Sequence, residues 1–193
     1  NKVKKIRSKK ISELNNETKT ATLICLINSV RQIKDRKGKP LTFINFNDGT
    51  GTMDGIVSSE VLENCHDILK EGKILSLKGT VEVDDYRTGD LGGLMFRMRV
   101  KEILTVDSEL DKRIKEITID INNSKAISLN KFSEYLDAFN KDFWTDGSCR
   151  LNVRVTSDKS EAIIDIGDQY KFKPSLENFF ILEDVFGKNI IEI

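Results

Sequence analysis

Phe43, Asn45 and Asn47 occupy alternating positions in GKPLTFINFNDGTG, and three cations, Arg36, Lys37 and Lys39, stand just before them. A ring beside amides and positive charge suits a polynucleotide: the ring stacks on a base, the amides reach polar edges, and the cations follow phosphates. Further candidates are Tyr86 with Arg87, and the alternating set Arg97, Arg99 and Lys101. A solvated strand face would carry the same alternating charges. Other chemistry finds less material. His66 is the only histidine, and Cys25, Cys65 and Cys149 are far apart with no CxxC pair. Neither a zinc site nor a disulfide framework is expected, so the thiols read as reduced and His66 as the surface of a short helix. Asp84 and Asp85 adjoin, but successive residues at a strand end point apart. No glycine-rich phosphate loop opens a helix and no GxSxG is present, so no metal, cofactor or catalytic constellation is expected.

The elements that must position these residues follow from alternation. Thr20 to Lys34 reads as a long strand rich in β-branched residues, whose alternation slips near Asn28, as at a β-bulge. Residues 35–39 form a charged turn, Pro40 opens a second strand that runs to Asp48, and Thr52 to Ser58 is a third. A helix is expected from about Ser59 to Leu69, with Leu62, Cys65 and Leu69 on one face, stopped at Gly72. Lys73 to Val83 is a fourth strand, DDYRTGDLGG a long hairpin loop, and Leu94 to Leu104 a fifth strand. Ile44, Phe46, Met53 and Val57 then fill an interior, and Phe43 points out.

Five strands with a helix between the third and fourth is the order of an OB-fold; an SH3-like barrel has no helix there. Such a barrel takes oligonucleotides on strands two and three and on the loops after strands one and four. Phe43 and Asn45 fall on that face, and Arg36, Lys37, Lys39, Tyr86 and Arg87 fall in those loops. Alternation leaves a second reading open, in which Phe43 lies beneath a neighbouring domain.

After Thr105 the pattern changes. Residues 106–116 read as a helical connector and 117–193 as a small α+β domain. It would hold a strand at Ile117–Ile121 and a helix from Leu129 to Asn140 with Leu129, Phe132, Leu136 and Phe139 inward. A hairpin follows around Asp158 and Lys159, then a brief strand at QYKFK. The last helix is capped by Ser175 and ended by Gly187, with NIIEI as a final strand. The fold class is therefore mainly β plus α+β. Its domains are a basic lead-in at 1–19, the barrel at 20–105, the connector, and the C-terminal domain. Net charge is zero, yet residues 1–105 hold 19 Lys/Arg against 14 Asp/Glu and residues 106–193 hold 12 against 17. Opposite signs suggest two partners, the acidic half taking a protein. No window is apolar enough to span a bilayer. The first residue, Asn1 rather than Met, suggests a piece of a longer chain.

DRKGKPLTFINFNDGTGTMDGIV resembles the first half of the OB-fold in the bacterial replicative DNA polymerase III alpha subunit, a family with a TK-GKPMAF-V-LED-TG-type run. Lys37, Gly38, Lys39, Pro40, Phe43, Asp48, Thr50 and Gly51 match it. Asp35 replaces the usual Thr, Asn47 an acidic residue, and Leu41-Thr42 a Met-Ala pair. ILKEGKILSLKGTVEVDD looks like the second half. The likeness is specific over Ala21 to Ile103 and looser through the connector KEILTVDSELDKRIKEITIDI to the ending PSLENFFILEDVFGKNIIEI. It implies a non-catalytic, cytoplasmic piece of a DNA-directed DNA polymerase, a nucleotidyltransferase whose active site lies elsewhere in the polymerase chain. The barrel would hold single-stranded template. The last domain would dock the tau subunit of the clamp loader, through Phe180, Leu182, Ile190, Ile191 and Ile193, and the fragment alone is expected to be monomeric. Two alternatives stay open: an anticodon-binding OB-fold of a tRNA synthetase, whose second strand reads F-I-x-F-x-D-x-x-G, and a protein-only interaction scaffold.

Overall fold

The structure, a computed structural model, describes residues 8–34, 38, 40–85, 95–121, 132, 134, 136, 147–157, 160–187 and 191–192. It divides into two units, Asn1–Val106 and Asp107–Ile193. In the first, β1 (Thr20–Lys34), β2 (Pro40–Asn47), β3 (Thr52–Ser58), β4 (Ile74–Val83) and β5 (Phe96–Thr105) close a barrel in the order β1-β2-β3-β5-β4. β1 is long because it pairs twice, with β4 over Thr20–Leu26 and with β2 over Leu26–Lys34. Its register shifts between Ile27 and Ser29, which makes Asn28 a bulge, as the slipped alternation suggested. A bulge bends its strand and increases local twist, which turns β1 from one neighbour to the other.

Leu23, Ile44, Phe46, Val57, Leu77 and Met98 fill the barrel and are almost wholly buried. Gly55 also faces inward; a Cβ there would stand 2.9 Å from Ile44 and 3.0 Å from Phe46, so the core closes only over a hydrogen. After β3, the helix α1 (Ser59–Glu63) is shorter than the expected helix to Leu69. Ser58 caps its start, its Oγ accepting from the Val61 N–H. At its end the Asn64 side chain donates to the Glu60 carbonyl at 3.1 Å, while the Asn64 backbone N–H turns to the Val61 carbonyl. A side-chain amide that takes the helical acceptor competes with the next turn. Cys65 and Leu69 are buried even so.

The lead-in is not a free linker over its described part. Lys9 N–H donates to the Thr22 carbonyl at 3.0 Å, Ile11 N–H to Asp48 Oδ2 at 2.7 Å, and Ser12 N–H to Thr50 Oγ1 at 3.3 Å. Leu14 and Thr18 are buried. Residues 8–19 thus strap the barrel, and the expected boundary at residue 20 cuts through a packed segment.

In the second unit, β6 (Glu116–Asp120), β7 (Arg150–Ser157), β8 (Ser160–Asp165) and β9 (Ile191–Glu192) form a sheet in the order β8-β7-β6-β9. β6 and β7 run parallel; β7–β8 and β6–β9 are antiparallel. The expected connector contributes α2 (Val106–Arg113), which is tied into this unit: Asp107 Oδ1 accepts from the Leu176 N–H at 2.9 Å and Asp111 Oδ1 from Ser148 Oγ at 3.2 Å. The helix α3 (Leu176–Phe186) starts on Ser175, whose Oγ accepts from the Asn178 N–H at 3.0 Å, and ends at Gly187 with φ 98°. Phe172 and Phe179 meet edge to face at 5.0 Å, and Phe132 meets Phe186 at 5.6 Å. The strand expected at QYKFK reduces to one bridge, Phe172 to Cys149. Leu129, Phe139, Asp158 and Lys159 lie outside the described residues.

Candidate nucleic-acid interface

The outer face of the barrel is organised in rows that cross the strands. Phe43 is the cross-strand partner of Arg31 on β1 and of Ile56 on β3, and Ile56 is the partner of Arg99 on β5. One row therefore reads Arg31, Phe43, Ile56, Arg99: two half-buried apolar side chains between two exposed cations. Next to it lie Ile33 and Leu41, also partners, which extend the apolar stripe toward the loop after β1. Such a stripe offers a base a surface to stack on, with guanidinium groups at both ends for phosphates. Thr42, Ile44 and Phe46 are buried, so the strand phase read from the sequence is the observed one.

The neighbouring row explains the asparagines. Asn47 Nδ2 donates to Asn28 Oδ1 at 2.6 Å, Asn28 Nδ2 to Asn45 Oδ1 at 2.8 Å, and Asn45 Nδ2 to Asp54 Oδ1 at 2.5 Å. This amide chain joins three strands on the outer surface. Asn45 was expected as a nucleic-acid ligand; its carbonyl and one amide hydrogen are already engaged, and its first role is to hold the face together. Farther along, Arg97 is the partner of Asp54 on one side and Glu82 on the other. Glu82 accepts from Arg99 Nε at 3.2 Å and lies 3.5 Å from Arg97 Nη2. The Arg99 hydrogen bond, with the charges of both arginines, holds the Glu82 carboxyl below its ordinary range. With Asp54 on the other side of Arg97, the two guanidiniums face two carboxylates, and these four side chains sum to no net charge.

Arg36, Lys37, Lys39, Tyr86 and Arg87 lie outside the described residues. Arg31 was missed by the sequence reading. The signal was present, because the bulge at Asn28 inverts the alternation of β1: Cys25 and Ile27 face in before it and Val30 packs on the core after it, which turns Arg31 out. A groove of about 810 Å³ adjoins the Phe43 row, with Leu41, Ile56, Val61, Arg99, Lys101 and Leu104 among its walls. Asp84 is buried and Asp85 exposed, so this acidic pair splits as expected. Among the described residues, no three His, Cys, Asp or Glu side chains gather as metal ligands would, and no helix is long and apolar enough to cross a membrane.

Asp48, Thr50 and Gly51 form a fastening. Asp48 accepts from the Ile11, Thr50 and Gly51 N–H groups at 2.7, 2.8 and 3.1 Å, and from the Thr50 hydroxyl at 2.7 Å. Burial raises the Asp48 carboxyl, but these bonds outweigh it and set the carboxyl below its usual value. Gly51 is required because a Cβ would stand 2.8 Å from Ile11 Cγ2.

In the second unit Phe180 is 66% exposed on α3. Leu182, expected beside it as a partner contact, is fully buried with Phe179 and Phe186, so it belongs to the core. Three residues past Phe179 and four before Phe186, it follows the period that buries both. Ile191 lies in β9 opposite Ile119, so its backbone is part of the sheet. Ile190 and Ile193 lie outside the described residues.

Residues 24–106 match the family model described as an OB-fold nucleic acid binding domain. The first unit is thus an OB-fold barrel, similar over those residues to that family. Beyond the barrel, the chain is 22% identical over 187 residues to DNA polymerase III subunit alpha of Pseudomonas aeruginosa, covering 97% of this chain and 15% of that protein. It is 24% identical over 181 residues to the subunit of the same name from Haemophilus influenzae, covering 93% of this chain and 15% of that protein. The chain is a homologue of these alpha subunits and spans about 15% of their length. Among solved structures, aspartyl tRNA synthetase from Entamoeba histolytica is similar over 54% of this chain and 22% of that one, at 21% identity and a TM-score of 0.41.

Proposed function

We propose that the chain is a non-catalytic part of a cytoplasmic bacterial replicative polymerase. Its OB-fold holds single-stranded template, and its second unit docks the tau subunit of the clamp loader. The row Arg31, Phe43, Ile56, Arg99 carries the first half of this reading, because an aromatic side chain between outward cations on a barrel face suits stacked bases and their phosphates. The surplus of basic residues in 1–105 favours a polyanion, and the surplus of acidic residues in 106–193 disfavours one. Phe180, exposed on α3, supports a protein contact in the second unit. Polymerase chemistry belongs to residues outside this chain; it needs carboxylates that hold two metals together, and Asp84 and Asp85 point apart.

Titration of the chain with a labelled single-stranded oligonucleotide at rising salt tests the first half. Weak binding that falls with salt is expected, with a slope of a few phosphate contacts; salt-insensitive binding, or none at low salt, refutes it. Capture of purified tau tests the second half, with Phe180→Ala expected to weaken it. Deletion of the tail is a poorer test, because β9 hydrogen-bonds to β6 and its loss would uncover the sheet.

A further inference from the structure

All six residues of β8 are exposed. They include Ile163 at 56% and Ile164 at 49%, and successive side chains on a strand project to opposite faces. Apolar surface therefore shows on both faces of one strand. The sheet order places β8 at an edge. Its pairing with β7 runs without a shift from Asn152↔Asp165 to Ser157↔Ser160. Along its other side, residues 161–165 pair with no further strand among the described residues. Natural edge strands are usually blunted by lysine, proline or a bulge. β8, Ser-Glu-Ala-Ile-Ile-Asp, has no lysine, proline or bulge, and its charges, Glu161 and Asp165, stand toward its two ends and leave Ala162 to Ile164 uncharged.

We propose that β8 is a docking edge where an extended segment of the protein partner adds to the sheet as a further strand. The inference rests on the reading that the second unit binds tau and assigns the surface and the chemistry of that contact. Unpaired backbone groups along one straight edge are satisfied by another strand, not by a helix. Six residues of strand span roughly 20 Å, so the segment needs about as many residues. It carries apolar side chains at two successive positions, to cover Ile163 on one face and Ile164 on the other. It is basic around them, because β8 holds Glu161 and Asp165 and the unit as a whole is acidic. Arg154 already pairs with Glu161 at 2.8 Å, whereas Asp165 Oδ1 accepts from the neutral Gly167 N–H at 2.9 Å, so Asp165 is the stronger attraction for a cation.

The test titrates purified tau against the full chain and its Ile164→Lys and Asp165→Lys variants. Amide exchange is followed over residues 160–165, and the mass of the chain alone is measured by light scattering. Each substitution should weaken tau binding at least about tenfold, since it opposes a basic segment and, at Ile164, removes apolar contact. Their melting temperatures should stay near that of the parent, because both sites are exposed. The 160–165 amides should exchange more slowly in the complex. Should Ile164→Lys fail to fold, Ile164→Thr keeps a β-branched residue and takes its place. Undiminished binding by the variants, with exchange unchanged, overturns the edge and leaves the tau reading standing. No binding by the parent chain overturns both. A dimer that Ile164→Lys dissolves also overturns the proposal, since a second copy would then own the edge.

Discussion

Asp48→Ala should detach the strap of residues 8–19 from the barrel. The carboxylate receives four hydrogen bonds, from the N–H groups of Ile11, Thr50 and Gly51 and from the Thr50 hydroxyl. The two from Thr50 are exposed and pass to water at little cost. Those from Ile11 and Gly51 are part-buried, and bonds to a charged acceptor contribute about 1.5–3 kcal/mol each. Allowing for their remaining exposure, the loss is about 2–4 kcal/mol, which for a domain near 100 residues lowers the melting temperature by roughly 10–20 °C. The effect must depend on pH. The Asp48 carboxyl is depressed in the fold, so its contribution is complete above the ordinary Asp value of about 3.9 and fades as pH falls through the lower folded value. Melting by circular dichroism, at neutral pH and in steps down to about pH 2, measures both features. A variant that melts within about 2 °C of the parent would refute the fastening, because even one of these bonds is larger than that. So would a gap that stays constant as the carboxyl is protonated.

Phe43→Ala should weaken oligonucleotide binding by about 1–3 kcal/mol while the barrel still folds, whereas Phe46→Ala, at a wholly buried site, should cost about 3–5 kcal/mol and unfold much of the population. Comparison of melts and titrations for the two variants decides it, and the reverse order of stability would mean the strand faces are exchanged. Cys25 and Cys149 should resist maleimide near pH 8 in the native protein, because burial pushes both thiols up to about 12. Mass spectrometry after labelling should find them modified only once denaturant is added; prompt native labelling of either would contradict their burial.

The barrel was legible because its strands obey one simple rule. In β2 the alternation of Thr42, Ile44 and Phe46 against Leu41, Phe43 and Asn45 is unbroken, so the buried face could be assigned from residue types alone. β1 was harder, since one extra residue at Asn28 reverses the faces, and the slip was visible without its consequence for Arg31. The strap was hidden for another reason: six basic residues in the first ten dominate its composition, while the contacts that dock it are made by the backbone of Lys9, Ile11 and Ser12. Backbone donors leave no mark in sequence. Leu182 misled because a helix with Leu176, Phe179, Phe180, Leu182, Val185 and Phe186 looks overfilled until Phe172 and Phe132 are seen to supply a core large enough for Phe179, Leu182 and Phe186.

The same distinction bears on the run whose sequence resembles the polymerase subunits. Its Asp48, Thr50 and Gly51 are consumed in holding the strap, and Gly51 admits no side chain because Ile11 lies over it. Asn45, expected as a ligand, is committed together with Asn47 to the amide chain through Asn28 and Asp54. What remains available on the face is Arg31 and the apolar stripe, with Arg99 paired to Glu82 at its far end, and of these only Phe43 belongs to the run that carries the resemblance. A motif of this kind therefore identifies the barrel more surely than it identifies the contact. Arg31 and Arg99, which we propose flank a bound single strand, stand outside the motif on β1 and β5, where the closure of the barrel brings them to either side of it.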